Sequence, residues 1–287
     1  MTTDNTNAIE AWNTVLFDKF VEYRDVVIRG LSRHGDRLLE RFPPAAGARV
    51  LDVGCGFGDT TQQIATLVGP SGRAVGVDAA SRFIESAREE AKSSGVANAD
   101  FFVADVQLDD LQGPYDFAFS RFGTMFFLSA VAALRNVHRH LKPGGRLAMV
   151  VWRKREDNAW LYDSQLAVRA IIPEEEEAKD EVTCGPGPFS MSNADLLTSQ
   201  LLAAGFENIV LERYDTDIRV GSTIDEVVKI AMDIGPAGEI VRLAGEHGQR
   251  KKPEIVAALR EVSSKYMRPD GAFAPSSTWL ASATRSA

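Results

Sequence analysis

The sequence predicts an α/β fold: a doubly wound sheet, mostly parallel with its last strand antiparallel, carrying helical cap insertions. Three observations predict it. Short, nearly unbroken apolar runs recur between residues 48 and 151, amphipathic helical stretches separate them, and the first run feeds into a glycine-rich turn. Apolar runs without alternation mark strands covered on both faces, and strand–helix alternation marks a parallel sheet. In such sheets ligands sit beyond the carboxyl ends of the strands.

The elements follow in order. Over residues 8–41, Trp12, Val15, Leu16, Lys19, Phe20 and Tyr23 recur at helical spacing. Gly30 and Gly35 are expected to break this region, and Pro43 and Pro44 to close it. Strands are expected at 48–53, 73–77, 100–104, 115–119 and 145–151, with helices near 59–68, 80–94 and 128–141. Beyond residue 151 the alternation fails. A helix over 156–172 precedes a loop over 173–190, which carries the acidic run Glu174–Glu177 and Cys184 before Gly-Pro-Gly-Pro. A helix at 192–204 and a strand at 207–213 come next, and residues 214–220 extend that strand or enter a cap. Helices at 223–234 and 252–267, a turn near 238–244 and a last strand at 278–284 complete the chain. The expected organisation is an N-terminal helical lid (1–44), a binding core (45–152), a cap insertion (153–190), a core continuation (191–220), a helical cap insertion (221–270) and a final core strand (271–287).

Composition narrows the function. The chain has 287 residues, 45% hydrophobic and 25% charged, enough for a sizeable core. A net charge of −8 argues against a general nucleic-acid binder, which carries a basic face. The first thirty residues hold Asp4, Glu10, Asp18, Glu22 and Asp25 and no apolar run, so no secretory leader is expected. No apolar stretch approaches the ~18–20 residues of a membrane span, and a cytoplasmic location is expected. Cys55 and Cys184 make neither a disulfide framework nor a zinc site, and no His/Asp/Glu cluster has ligand spacing, so no metal is expected. The glutamate run reads as a solvated face.

The chemistry concentrates in Val50-Leu51-Asp52-Val53-Gly54-Cys55-Gly56-Phe57-Gly58-Asp59, where a strand enters a glycine turn and a helix follows. Glycines let the backbone turn sharply and approach a bulky ligand. The helix N-terminus behind presents unsatisfied N–H groups and partial positive charge. That alone leaves a nicotinamide dinucleotide and S-adenosylmethionine both open. The dinucleotide fingerprint places two residues between its second and third glycines. Here Gly54, Gly56 and Gly58 have one residue in each gap. Asp78 ends the second strand, where a carboxylate can take both hydroxyls of a ribose, and Leu141-Lys142-Pro143-Gly144-Gly145 precedes the fifth strand.

The ordered set LDVGCGFGD, GVD, VADVQ, YDFAFSRF and LKPGG resembles the class I S-adenosylmethionine-dependent methyltransferases, nearest to the ubiquinone/menaquinone-biosynthesis type of small-molecule enzymes. The likeness covers roughly residues 45–152. It implies S-adenosyl-L-methionine as cofactor and a Rossmann-like methyltransferase sheet. By the resemblance, Asp52 and the Gly54–Gly58 backbone, with Cys55 and Gly56, would hold the methionine moiety. Asp78 would bind the ribose and Ala79 flank the adenine, while Asp105 and Val106 would meet the adenine amino group and ring. Ser120 and Arg121 would line the sulfonium end and face the acceptor, and Phe20 and Tyr23 would cover the cofactor from the lid.

Each residue has a plainer reading. Asp52 and Asp105 could be turn or helix caps, Cys55 a small buried filler, and the lid aromatics simple packing. His138 and His140 are expected on an exposed helix face, His247 in a loop, and His34 in the N-terminal helical region. Met125, Phe126, Phe127, Trp152, Trp160, Phe189 and Met191 would give an apolar acceptor pocket, and Arg121 or Arg153 could pair an anionic group. No obvious base follows the fourth strand, which favours an acidic or carbon nucleophile. The expected partner is a small-molecule acceptor, with no nucleic acid and no membrane span; a homodimer is compatible with the chain. A catalytically silent S-adenosylmethionine-binding module and a nucleotide-dependent oxidoreductase are the alternatives.

Overall fold

The computed structural model describes residues 5–173 and 185–286; the acidic run and Cys184 lie outside them. The strands are β1 (Arg49–Val53), β2 (Arg73–Asp78), β3 (Ala99–Val103), β4 (Tyr115–Arg121), β5 (Leu141–Trp152), β6 (Glu207–Gly221), β7 (Met267–Arg268) and β8 (Gly271–Thr284). They form one sheet of order β3-β2-β1-β4-β5-β8-β6, with β7 paired to β8. The pairs among the first five strands are parallel, and β8 runs antiparallel to both β5 and β6. The chain winds outward from β1 to β3 and then returns to β4, so the strand order reverses between β1 and β4. That reversal is where a doubly wound sheet opens its ligand crevice.

The helices are α1 (Thr6–Asn13), α2 (Val15–Glu22), α3 (Ser32–Arg41), α4 (Asp59–Val68), α5 (Ser81–Ser94), α6 (Ala130–His140), α7 (Ala159–Arg169), α8 (Ala194–Ala204), α9 (Ile224–Asp233), α10 (Pro236–Leu243) and α11 (Gly245–Ser263). Val50 and Leu51 are adjacent on β1 and both buried, one in each of two cores on opposite faces of the sheet. That two-sided burial is why the strands read as continuous apolar runs. A third cluster, with Val168, Ile172, Val228, Ile240, Ile255 and Leu259, joins α7 to α9–α11 as a helical cap. Among the described residues no helix is long and apolar enough to cross a membrane.

Four expectations are corrected. Gly35 lies inside α3 instead of breaking it, because a Cβ there would stand 2.9 Å from Arg121 Cδ; the glycine admits that side chain. The stretch around His247, expected as loop, opens α11, and Gly248 is required there because a Cβ would fall 2.3 Å from the Val241 carbonyl oxygen. The last strand begins at Gly271, seven residues before the expected start, because β6 extends to Gly221 and supplies a partner along that length. His138 and His140 are not exposed. The His138 ring packs edge-on against Phe206 at 5.0 Å, and His140 hydrogen-bonds the Asn136 carbonyl and Asp110.

Candidate functional site

The turn after β1 is built from left-handed glycines, with φ of +67° at Gly54, +53° at Gly56 and +78° at Gly58. The Gly54 and Cys55 amides both donate to the Val77 carbonyl, at 2.9 and 3.0 Å, which locks the turn to the end of β2. Gly58 is also demanded by packing, since a Cβ there would lie 2.6 Å from the Phe101 ring. A Cβ on Gly56 would meet nothing nearer than Phe83 Cδ1 at 4.0 Å, so that part of the turn is open. Cys55 is buried, and a Cβ on Gly76 would come within 2.9 Å of its Sγ; the thiol fills a slot between turn and strand, and burial pushes its pKa up.

Two carboxylates flank the turn. Asp78, at the end of β2, accepts from the Gly56 amide at 3.1 Å through one oxygen and from the Ala80 amide at 2.9 Å through the other. Burial raises its pKa against the pull of those amides. Asp52 is 1% exposed and accepts from Thr61 Oγ1 at 2.6 Å. Desolvation pushes its carboxyl up to about 7, while the Thr61 hydroxyl and the Arg121 charge oppose that rise. Ala79 is half-buried beside Asp78.

Beyond β3, Asp105 Oδ1 accepts from the Gln107 amide at 2.9 Å, closing the turn on itself. Val106 is buried there. Beyond β4, Ser120 is fully buried and donates to the Val53 carbonyl at 2.8 Å, tying β4 to β1. Arg121 donates to Asp59 at 2.8 Å, and its stem lies against Gly35. Both side chains are thus committed within the protein. Arg153 is likewise engaged, with Asp157 at 3.0 Å and stacked over Trp279.

The N-terminal helices cover this end of the sheet. Trp12, Phe17 and Phe20 pack on Phe57 of the turn and Phe83 of α5, with Phe17 and Phe83 centroids 4.9 Å apart. Trp12 also meets Phe126 at 4.9 Å. Tyr23 departs from that face. α2 ends at Glu22, Tyr23 is its C-cap, and the phenol donates to Asp233 at the end of α9 in the cap. Lys19 donates to the Asp233 carbonyl at 2.6 Å, and Glu22 pairs with Lys229. The lid helix therefore touches the glycine turn with one side and the cap with the other.

Asn13 and His34 carry structure that the sequence did not signal. Asn13 Oδ1 accepts from Ser81 Oγ at 3.2 Å and the Arg82 amide at 3.3 Å, capping α5 from a distant segment. His34 is fully buried, with Nε2 2.9 Å from Ser276 Oγ and Nδ1 3.1 Å from Thr278 Oγ1. Burial, then the Arg121 charge, lower its pKa to about 4, so the ring is neutral at pH 7. Ser276 Oγ donates onward to the Thr216 carbonyl at 2.7 Å and so accepts from the ring. Both ring nitrogens are in use, which removes His34 as a base.

Of the aromatic acceptor set, Met125, Trp152 and Met191 belong to the main core. Phe126, Phe127, Trp160 and Phe189 are only partly buried against it. A narrow crevice in the cap is lined by Trp160, Val220, Val227, Ile230 and Tyr266, and the Trp160 indole nitrogen is buried without a partner. Among the described residues no group of three His, Cys, Asp or Glu side chains is arranged to hold a metal.

A family model described as a methyltransferase domain matches residues 44–185. The chain is 36% identical over 115 residues to aklanonic acid methyltransferase DauC of a Streptomyces strain, covering 40% of this chain and 52% of that protein. It is 34% identical over 139 residues to the ubiquinone/menaquinone biosynthesis C-methyltransferase UbiE of Ectopseudomonas mendocina, covering 47% and 54%. The chain thus spans about half the length of these curated relatives. In fold it is similar to the YcgJ protein of Bacillus subtilis, with a TM-score of 0.56 and 18% identity over 90% of this chain and 99% of that one.

Proposed function

We propose, from the match of residues 44–185 to a methyltransferase domain, that the chain moves a methyl group to a small, apolar or aromatic acceptor by direct in-line transfer. That domain is of the class I kind, and its cofactor is S-adenosylmethionine. The residues present fit the cofactor: an open glycine at position 56 lies between two carboxylates at the switch point of the sheet. When bound, the cofactor supplies a methyl group already activated by a sulfonium.

The protein's share is binding, alignment and exclusion of water. Asp78 and the Gly54–Gly58 backbone hold the donor, with Asp52 countering its ammonium and Asp105 and Val106 receiving the adenine. Ser120 and Arg121 act from behind, fixing β4 against β1 and Asp59. Phe20, with Trp12 and Phe17, keeps water out. No described side chain around the end of β4 is free to act as a base, which favours an acceptor that is already acidic or reacts at carbon. Aklanonic acid and ubiquinone/menaquinone biosynthesis, named for the relatives, lie in the same range of small organic acceptors. The observation that carries the proposal is the glycine turn bonded to Asp78.

The test is incubation with S-(trideuteromethyl)-adenosylmethionine and a panel of quinols and polycyclic aromatic acids. Formation of S-adenosylhomocysteine with a matching mass gain on one acceptor is expected. Cofactor binding without transfer to any acceptor, or tight binding of NADH instead, would overturn it.

A further inference from the structure

Asn5 sits at the N-cap position of α1, where asparagine is favoured because its side chain can accept from a helix amide. It makes no such bond. Its side chain instead reaches a hundred residues along the chain, with Nδ2 3.4 Å from Asp105 Oδ2. Asn5 Oδ1 is buried and has no partner.

These facts fix the orientation of the amide. A reversed amide would set its carbonyl oxygen against the Asp105 carboxylate, an acceptor facing an acceptor. The amino end must therefore face Asp105, which leaves the carbonyl oxygen as a buried acceptor in need of a donor. A buried carbonyl without a donor is costly, and native proteins rarely leave one. The rest of Asp105 is already used within its own turn: Oδ1 accepts from Gln107, and the Asp105 amide donates to Asp109 at 2.8 Å. Asp105 Oδ2 and Asn5 Oδ1 are thus two neighbouring acceptors with capacity left at this end of β3.

The geometry points to Asn5 as a further recognition residue for the adenine ring, its side-chain oxygen accepting one hydrogen of the exocyclic amino group while Asp105 accepts the other. An amino group with two hydrogens matches two adjacent acceptors; a purine with a carbonyl or a bare hydrogen at that position does not. The inference rests on the reading that Asp105 lies at the adenine, and it adds a specificity residue from a segment outside the matched domain.

Calorimetry on the full chain tests it, with S-adenosylhomocysteine as ligand and with adenosine and purine riboside as competitors. Purine riboside lacks only the amino group. Asn5→Ala should weaken S-adenosylhomocysteine about fivefold, in the range of one neutral hydrogen bond, and reduce the preference for adenosine over purine riboside by the same factor. Purine riboside itself should bind both proteins equally. Asn5→Leu, which keeps the bulk, should behave as Asn5→Ala does. Because the preference is a ratio within one protein, loss of folded material does not move it. An unchanged ratio in a variant that still binds S-adenosylhomocysteine overturns the inference alone. Failure of the unsubstituted chain to bind S-adenosylhomocysteine overturns the cofactor reading together with it.

Discussion

The donor half and the cap are held together by different means. Around the glycine turn the polar side chains bond to backbone or to near neighbours: Asp78 to two amides, Asp52 to Thr61, Ser120 to a strand carbonyl. The cap has its own aliphatic core of Val168, Ile240, Ile255 and Leu259. It is tied to the donor side by the β6 and β8 arms, by Val227, Tyr266 and Trp160 packed into or against the main core, and by polar contacts from Lys19, Glu22 and Tyr23 to Asp233 and Lys229. A backbone-bonded site admits little variation, because each bond depends on one φ/ψ geometry. A cap with an aliphatic cluster of its own can change in that cluster with little effect on the glycine turn.

The comparison breaks most visibly through the cap core. Leu259→Ala, at a fully buried position, should lower stability by about 3 kcal/mol, read by chemical denaturation. S-adenosylhomocysteine affinity should stay within about twofold; a parallel fall in affinity would mean that the two halves are one unit. On the donor side, Asp78→Ala should weaken S-adenosylhomocysteine by about 2 kcal/mol. It should also cost some stability, because the Gly56 and Ala80 amides lose their acceptor. Unchanged affinity would remove Asp78 from the site.

A third expectation concerns pH. The Asp52 carboxyl, raised to about 7 by burial, ionises in the unfolded chain near 4. Its contribution to stability is therefore full below pH 4 and is lost as pH rises towards 7. Asp52→Asn should accordingly be the more stable protein at pH 8. Binding runs the other way: an ammonium needs the ionised carboxylate, so affinity should fall about tenfold for each pH unit below 7. A flat affinity from pH 6 to 8 would separate Asp52 from the ammonium. The smallest effect belongs to the joint between the halves. Tyr23→Phe removes one hydrogen bond to Asp233 and should cost about 1 kcal/mol of stability while leaving donor affinity in place.

The same contrast explains what the sequence disclosed. β1, β2 and β4 were legible because most of their positions are buried on both faces; Asp52 stood out as a carboxylate inside such a run, and it is partnered there by Thr61. The glycine turn was legible because positive φ restricts it to glycine. Gly35 and Gly248 misled because each is a glycine for packing, admitting Arg121 and the Val241 carbonyl inside helices. Nothing local distinguishes such a glycine from a helix stop. Tyr23 was placed on the Phe20 face because spacing assumes the helix continues, whereas α2 stops at Glu22. Asn5, Asn13 and His34 bond to residues far along the chain, which no local pattern encodes.

The position of β8 has a consequence for biosynthesis. It lies between β5 and β6, yet it is made about fifty residues after β6. While the chain emerges from the ribosome, the outer edge of β5 has no partner until residues 271–284 appear, and β6 has none at all. An unpaired, apolar strand edge is a template for joining other chains. The nascent protein thus spends the synthesis of its whole second cap insertion with an open sheet, and the final insertion of β8 closes both edges in one event.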